Sequence, residues 1–428
     1  MKKLFVSVGL VVAGTSAVCA AGGAAMGMGD NSKNWSVSAT LRGFYDDNYA
    51  TSTSANKRDS FGVMIRPSVS YSLPLDNTSL GVQYTFGATW YQDRAKINSQ
   101  NDAWDMSHEL AAFLDHNFSD KTALHVMNSF VISQEPELLQ SGPLAVPYRT
   151  EGDNIRNHGE INFNGTLTQK FKYVLGYQNT YYDYENEGGT AVQPSLSAIL
   201  DRFEHRGVGK LLLQAGPKSV LSLGYTYSQV DYTSDEPIRA VPFATSENRN
   251  NRGHAIHVGL DQNFTQDLLF SVLVGAQRTE YNDPLNDDTT TPYISAKLAY
   301  TYRPGSTFTL GYTHSRNQTD VLSPIIGGPL EGQLTTDAES SVIYASLSHR
   351  FNAKISGILQ GQWQNSEFNG GNVDGQKDTF VDVSGALIYR FNPHLTGEVG
   401  YSFSQLTTDI ALRDYERNRI YLGLTATY

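Results

Sequence analysis

Two short stretches, SHELAAFLDHNF (107–118) and GHAIHVGLDQNF (253–264), hold histidines at matching positions, His108 and His254. A histidine can act as a general base beside a serine when a carboxylate orients its ring. That chemistry needs three groups at one place. Here alternation puts both histidines on the apolar side of their segments, beside Leu110 and Ile256, where an interfacial position accounts for them. No catalytic residue is assigned and no enzyme is expected. The single cysteine, Cys19, lies in the segment that reads as a signal peptide, so disulfide and thiol chemistry are not expected of the remaining chain. A lipoprotein reading of Cys19 is weak, because residues 16–18 lack the usual leucine and small residue before it. No metal-ligand spacing, phosphate-cradling glycine loop or basic nucleic-acid patch occurs, so no metal, cofactor or nucleic-acid partner is expected.

The remaining chemistry is charge set among Thr, Ser, Gly, Gln and Asn. Basic residues Arg42, Arg66, Lys172, Arg206, Lys210, Lys297, Arg350, Arg390 and Arg419 fall on polar faces. Acidic residues Asp46, Glu109, Asp115, Glu160, Glu204, Asp261, Asp382 and Glu398 fall there too. Pairing across neighbouring strands is the plain account of most of them. A transverse field that orients solutes is the sharper one, and needs the two signs segregated.

The elements that carry these charges are strands, because almost every segment has a period of two. Leu80, Val82, Tyr84, Phe86, Ala88 and Trp90 share one face, opposite Gly81, Gln83, Thr85, Gly87, Thr89 and Tyr91. The same division recurs at 221–228, 355–364 and 381–390. Turn residues divide the chain into eighteen such strands, with limits near 35–49, 59–73, 78–93, 105–117, 122–134, 157–168, 171–184, 199–214, 219–232, 252–264, 268–282, 291–302, 307–318, 340–351, 355–368, 379–391, 395–409 and 417–428. Eight short turns alternate with nine longer loops, which puts both chain ends on the short-turn side. That asymmetry predicts an all-β, transmembrane, antiparallel up-and-down barrel with about eighteen strands. A soluble sandwich would hide its apolar face, and no covering helices are available to do that here. Phe118, Phe264, Tyr302, Phe351 and Phe391 stand at short-turn ends, as an interfacial ring girdle requires.

Composition agrees. Charged residues are 18%, aromatics 11%, with 25 Tyr and 38 Gly, and the formal net charge is -11. Mean hydropathy is -0.36, which an alternating barrel tolerates. Residues 1–20 read as a signal peptide, from Lys2 and Lys3 through an apolar run to Val18-Cys19-Ala20. Residues 21–33 form a small-residue leader and 34–428 a single barrel domain. No globular plug is expected. The third outer loop, carrying Glu135, Glu137, Arg149, Glu151 and Asp153, is the candidate constriction; its alternative is a solvent-exposed loop. The loop 320–339, containing PIIGGPLEG, could dock in the mouth instead.

The stretches TLRGFYDDNYA (40–50) and KRDSFGVMIRPSVSYSLPL (57–75) resemble the first hairpin of β-barrel porins of Gram-negative outer membranes. The ending DYERNRIYLGLTATY (414–428) is similar to their last strand, and some members accompany exopolysaccharide gene clusters. The resemblance implies a multi-pass barrel in the outer membrane, embedded in its lipid. It implies a channel for passive diffusion of small hydrophilic solutes, with a link to surface polysaccharide export as a variant. The competing reading is a non-conducting barrel that displays its loops for adhesion or envelope organisation. The terminal aromatic, Tyr428, resembles the signal by which barrel-assembly machinery recognises its substrates. A homo-oligomer is left open.

Overall fold

The computed structural model describes residues 33–94, 103–133, 153–325 and 331–428. Its first nine strands are β1 (Trp35–Asp46), β2 (Ser60–Pro74), β3 (Thr78–Tyr91), β4 (Trp104–Ser119), β5 (Thr122–Ser133), β6 (Asn154–Thr166), β7 (Phe171–Tyr184), β8 (Arg202–Gly216) and β9 (Ser219–Tyr232). A small hairpin follows, β10 (Pro237–Arg239) and β11 (Ala244–Thr245). The second set is β12 (Asn251–Asn263), β13 (Leu268–Tyr281), β14 (Thr289–Arg303), β15 (Ser306–Gln318), β16 (Asp337–Arg350), β17 (Ile355–Asn369), β18 (Lys377–Asn392), β19 (Leu395–Thr408) and β20 (Tyr415–Thr427). Apart from the hairpin, each strand pairs antiparallel with its neighbours, and β9 pairs β12 across the hairpin. β1 pairs both β2 and β20, which closes an 18-stranded ring. Closure leaves no unpaired backbone edge, the condition for a sheet to stand in lipid.

All eighteen expected strands are present, and their limits shift for identifiable reasons. β6, β16 and β18 begin two or three residues earlier than the apolar pattern indicates, because backbone pairing continues above the apolar band. The expected start of β8 at 199 is replaced by a helical turn, α1 (Leu196–Leu200). The Ser195 side chain caps it by accepting from the Ala198 amide. β1 ends at Asp46 rather than 49, and Tyr49 turns inward instead.

The two faces separate as the alternation predicts. Leu80, Val82 and Tyr84 are exposed outward, while Gly81, Thr85, Gly87 and Tyr91 are buried within the ring. On β20, Leu422 is 69% exposed and Gly423 is buried. Leaving one large aliphatic side chain in water costs about 1.5–3 kcal/mol. Such residues recur on every strand pair, so the outer face is built for an apolar solvent. Among the described residues no helix is long and apolar enough to cross a membrane. Phe118, Phe264, Phe351 and Phe391 are each more than half exposed at the short-turn ends. At the chain end Tyr428 packs its ring 5.6 Å from Trp35, with the Lys33 ammonium 3.9 Å above it.

Candidate functional site: the inner wall and the outer mouth

Strand pleating aims every second side chain at the lumen, and all the anticipated wall charges lie on that face. Several form pairs. Arg42 reaches Glu398 at 2.6 Å and Arg66 reaches Glu109 at 2.6 Å. Asp46, fully buried, accepts from Arg417 at 2.6 Å and from Arg419 at 2.7 Å. Asp115 lies 2.6 Å from His125. Pairing between adjacent strands is only part of the arrangement, because Arg42 and Glu398 stand on β1 and β19, with β20 between them. Both register on Gly423 of that middle strand. A Cβ there would stand 2.7 Å from Glu398 Oε1, so glycine clears the path for a contact spanning about 10 Å of sheet.

Glu160 belongs to a different group. It accepts from Gln178 at 3.1 Å and also from Asn162, and His158 lies beside it with Thr180 on its ring nitrogen. Arg206 and Lys210 share a recess described below. Lys297 faces the lumen on β14, and Asp382 registers between Gln362 and Ser404. Lys172, Arg350 and Arg390 lie toward the short-turn end, where Lys172 and Arg350 are exposed. The Arg202–Glu204 pair stands at the outer end of β8 at 2.8 Å. His108 and His254 face outward, 2.8 Å and 2.7 Å from the hydroxyls of Tyr84 and Tyr225. A third such pair joins His205 to Tyr177.

The mouth is organised by loops whose contacts no local pattern foretells. Ala198 of α1, Ile238 and Ala244 of the β10–β11 hairpin, and Leu334 form one buried cluster. Arg249, 1% exposed, donates to the carbonyls of Ile199 and Thr319 at 2.7 and 2.9 Å, with its guanidinium over the Tyr232 ring. Arg239 donates to Asp283 at 3.2 Å and to the Gly332 carbonyl. Arg413 ties Asp320 to Asp378 at 2.9 and 3.3 Å. Val321 and Val373 pack on the inward-facing Ala338 and Phe368, so these loops lean over the opening. Burial works against ionisation of Glu236, but the Ser195 hydroxyl and the amides of Gly188 and Gly189 hold its carboxyl below the usual range.

Of the candidate constriction, Glu135, Glu137, Arg149 and Glu151 lie outside the described residues. Asp153 is exposed just before β6, its carbonyl accepting from the Glu185 amide at 3.0 Å. The described parts of the 320–339 loop do dock at the mouth, on α1 and the hairpin. Among the described residues no group of three or more His, Cys, Asp or Glu could hold a metal ion.

A family model described as "Putative beta-barrel porin 2" matches residues 35–428. A search of curated proteins gave no match. Among solved structures the chain is similar to OccAB3 of Acinetobacter baumannii, at 12% identity and a TM-score of 0.44, over 92% of this chain and 99% of that one. It is similar to OccK3 (OpdO) of Pseudomonas aeruginosa, at 12% identity and a TM-score of 0.43, over 92% and 96%. It is also similar to the siderophore receptor PirA of Acinetobacter baumannii, at 9% identity and a TM-score of 0.43, over 92% and 80%.

Proposed function

This chain belongs to the Putative beta-barrel porin 2 family and is a porin-like barrel of the outer membrane, and from that premise we propose that small hydrophilic solutes cross it by passive diffusion. The observation that carries this reading is the inner wall. A closed ring of eighteen strands has room for an aqueous path, and its lumen face is lined by hydroxyls, amides and ionic side chains of both signs. Such a wall replaces part of the hydration shell of a passing solute. Paired charges such as Arg42–Glu398 fix the wall without leaving a single-sign barrier.

The interlocked mouth loops favour a second reading, a barrel that displays its outer surface and conducts nothing. Liposome swelling separates the two. Vesicles carrying the purified protein should swell in isotonic sugars at rates that fall as the sugar grows larger. Swelling no faster than in protein-free vesicles would refute the diffusion channel.

A further inference from the structure

The inner wall of β8, β9, β12, β13 and β14 contains a shallow recess, open toward the lumen. Its floor is made of small side chains. Thr226 and Ser228 of β9 face Ala255 and Gly253 of β12, and Gly224 lies level with His257. Longer side chains stand around it: Arg206 and Lys210 on one rim, Gln277 and Tyr293 on the other. Arg206 and Lys210 are four residues apart on one strand, so their backbones are about 13 Å apart and both project into the same hollow.

A second observation, independent of the positive charge, also indicates a ligand. His257 lines the recess and is only 4% exposed, yet its Nε2 has no hydrogen-bond partner. The ring lies over Gly224, where a Cβ would stand 2.3 Å from Nε2. Lys210 registers on the same Gly224 from the other side. Lys210 and His257 thus flank the same stretch of bare backbone from its two sides. A buried polar atom left without a partner costs free energy, and such atoms are uncommon in native proteins. Among the described residues, two acidic groups stand at the limits of the recess. Glu204 is paired with Arg202 at the outer side, and Asp261 lies two pleats below His257.

We propose that this recess is a binding subsite for small hydroxylated organic anions, with Arg206 and Lys210 holding the acidic group and Thr226, Ser228 and Gln277 meeting the hydroxyls. The subsite rests on the diffusion-channel reading for its role in transport, but its binding can be measured separately. A solute held there dwells in the lumen and interrupts the ion current.

Gluconate and sorbitol are suitable probes, because they share a six-carbon chain with the same five hydroxyls and differ only in a carboxylate against a sixth hydroxyl. Two measurements on the full-length protein are needed: calorimetric binding in detergent at low salt, and block of single-channel current in a planar bilayer. Gluconate should bind and block, and sorbitol should do neither. The double variant Arg206→Gln with Lys210→Gln should weaken both effects about tenfold or more, as expected for losing charge-assisted hydrogen bonds. Lys121→Gln with Lys354→Gln removes the same net charge from two short turns, and should leave both effects within twofold. Heat-modifiable gel mobility would show that each variant is folded. Equal binding of the two probes, or full block in the Arg206/Lys210 variant, overturns the proposal. Recess-dependent gluconate binding without ion-conducting steps would retain the subsite and refute the channel.

Discussion

Asp46 is the residue on which the closing seam turns. It is fully buried at the outer end of β1 and accepts from two arginines of β20, Arg417 and Arg419. Asp46→Asn keeps the shape but removes the carboxylate charge that both guanidiniums share. Removing one member of a buried ion pair costs about 3–5 kcal/mol, so the variant should lose its folded gel mobility at a lower temperature than the parent. Asp201 gives a pH-dependent test in the outer loops. Burial pushes its carboxyl up to about 6, although the Ser197 hydroxyl and the Tyr184 amide donate to it. Between its unfolded value and about 6 the folded loop binds more protons than the unfolded one, so stability falls as pH rises through that window. Hydrogen-exchange protection across 185–201, taken relative to the intrinsic rate at each pH, should therefore be higher at pH 5 than at pH 7, and Asp201→Asn should largely remove the difference. Sequence could place Asp46 and Arg419 on the lumen face because alternation is local. It could not pair Arg42 with Glu398, because that contact depends on Gly423 of a strand lying between them.

Strands and loops differ in how far sequence reveals them, and the reason is physical. A strand announces itself every second residue, which is why the limits of β3, β9 and β19 fall within two residues of expectation. The loops are ordered by distant partners. Arg249 joins α1 to the segment at Thr319, 70 residues away, and nothing near Arg249 encodes that contact. The hairpin β10–β11 was likewise invisible, its two strands being three and two residues long. His257 is absent from the sequence-based wall residues, although the alternating run Gly253, Ala255, His257, Gly259 carries a signal that would place it there; its unpartnered nitrogen has no such signal. Arg249→Ala should loosen the roof without touching the ring. Proteolytic nicking within 185–201 and 319–325 should rise, while the temperature of the gel-mobility change stays within a few degrees of the parent. Equal resistance to nicking would mean that the apolar cluster around Ile238 and Leu334 holds the loops unaided.

At the scale of the molecule, one alternation accounts for both solvents. Outward Ile420, Leu422 and Leu424 require lipid, and inward Arg417, Arg419 and Gly423 face the lumen, all on one strand. That strand must find β1 for the ring to close, and Tyr428 exchanges backbone hydrogen bonds with Val37 at the join. Deleting Tyr428 should lower the amount of assembled barrel in the outer membrane, and normal assembly would show that the terminal ring is dispensable. A closed ring of eighteen strands has room for a water-filled path through a porin-like barrel. Planar-bilayer recording with the purified full-length protein tests it most directly. Stable, stepwise ion currents of uniform size are predicted, and a folded, inserted barrel that gives no such steps would contradict the account.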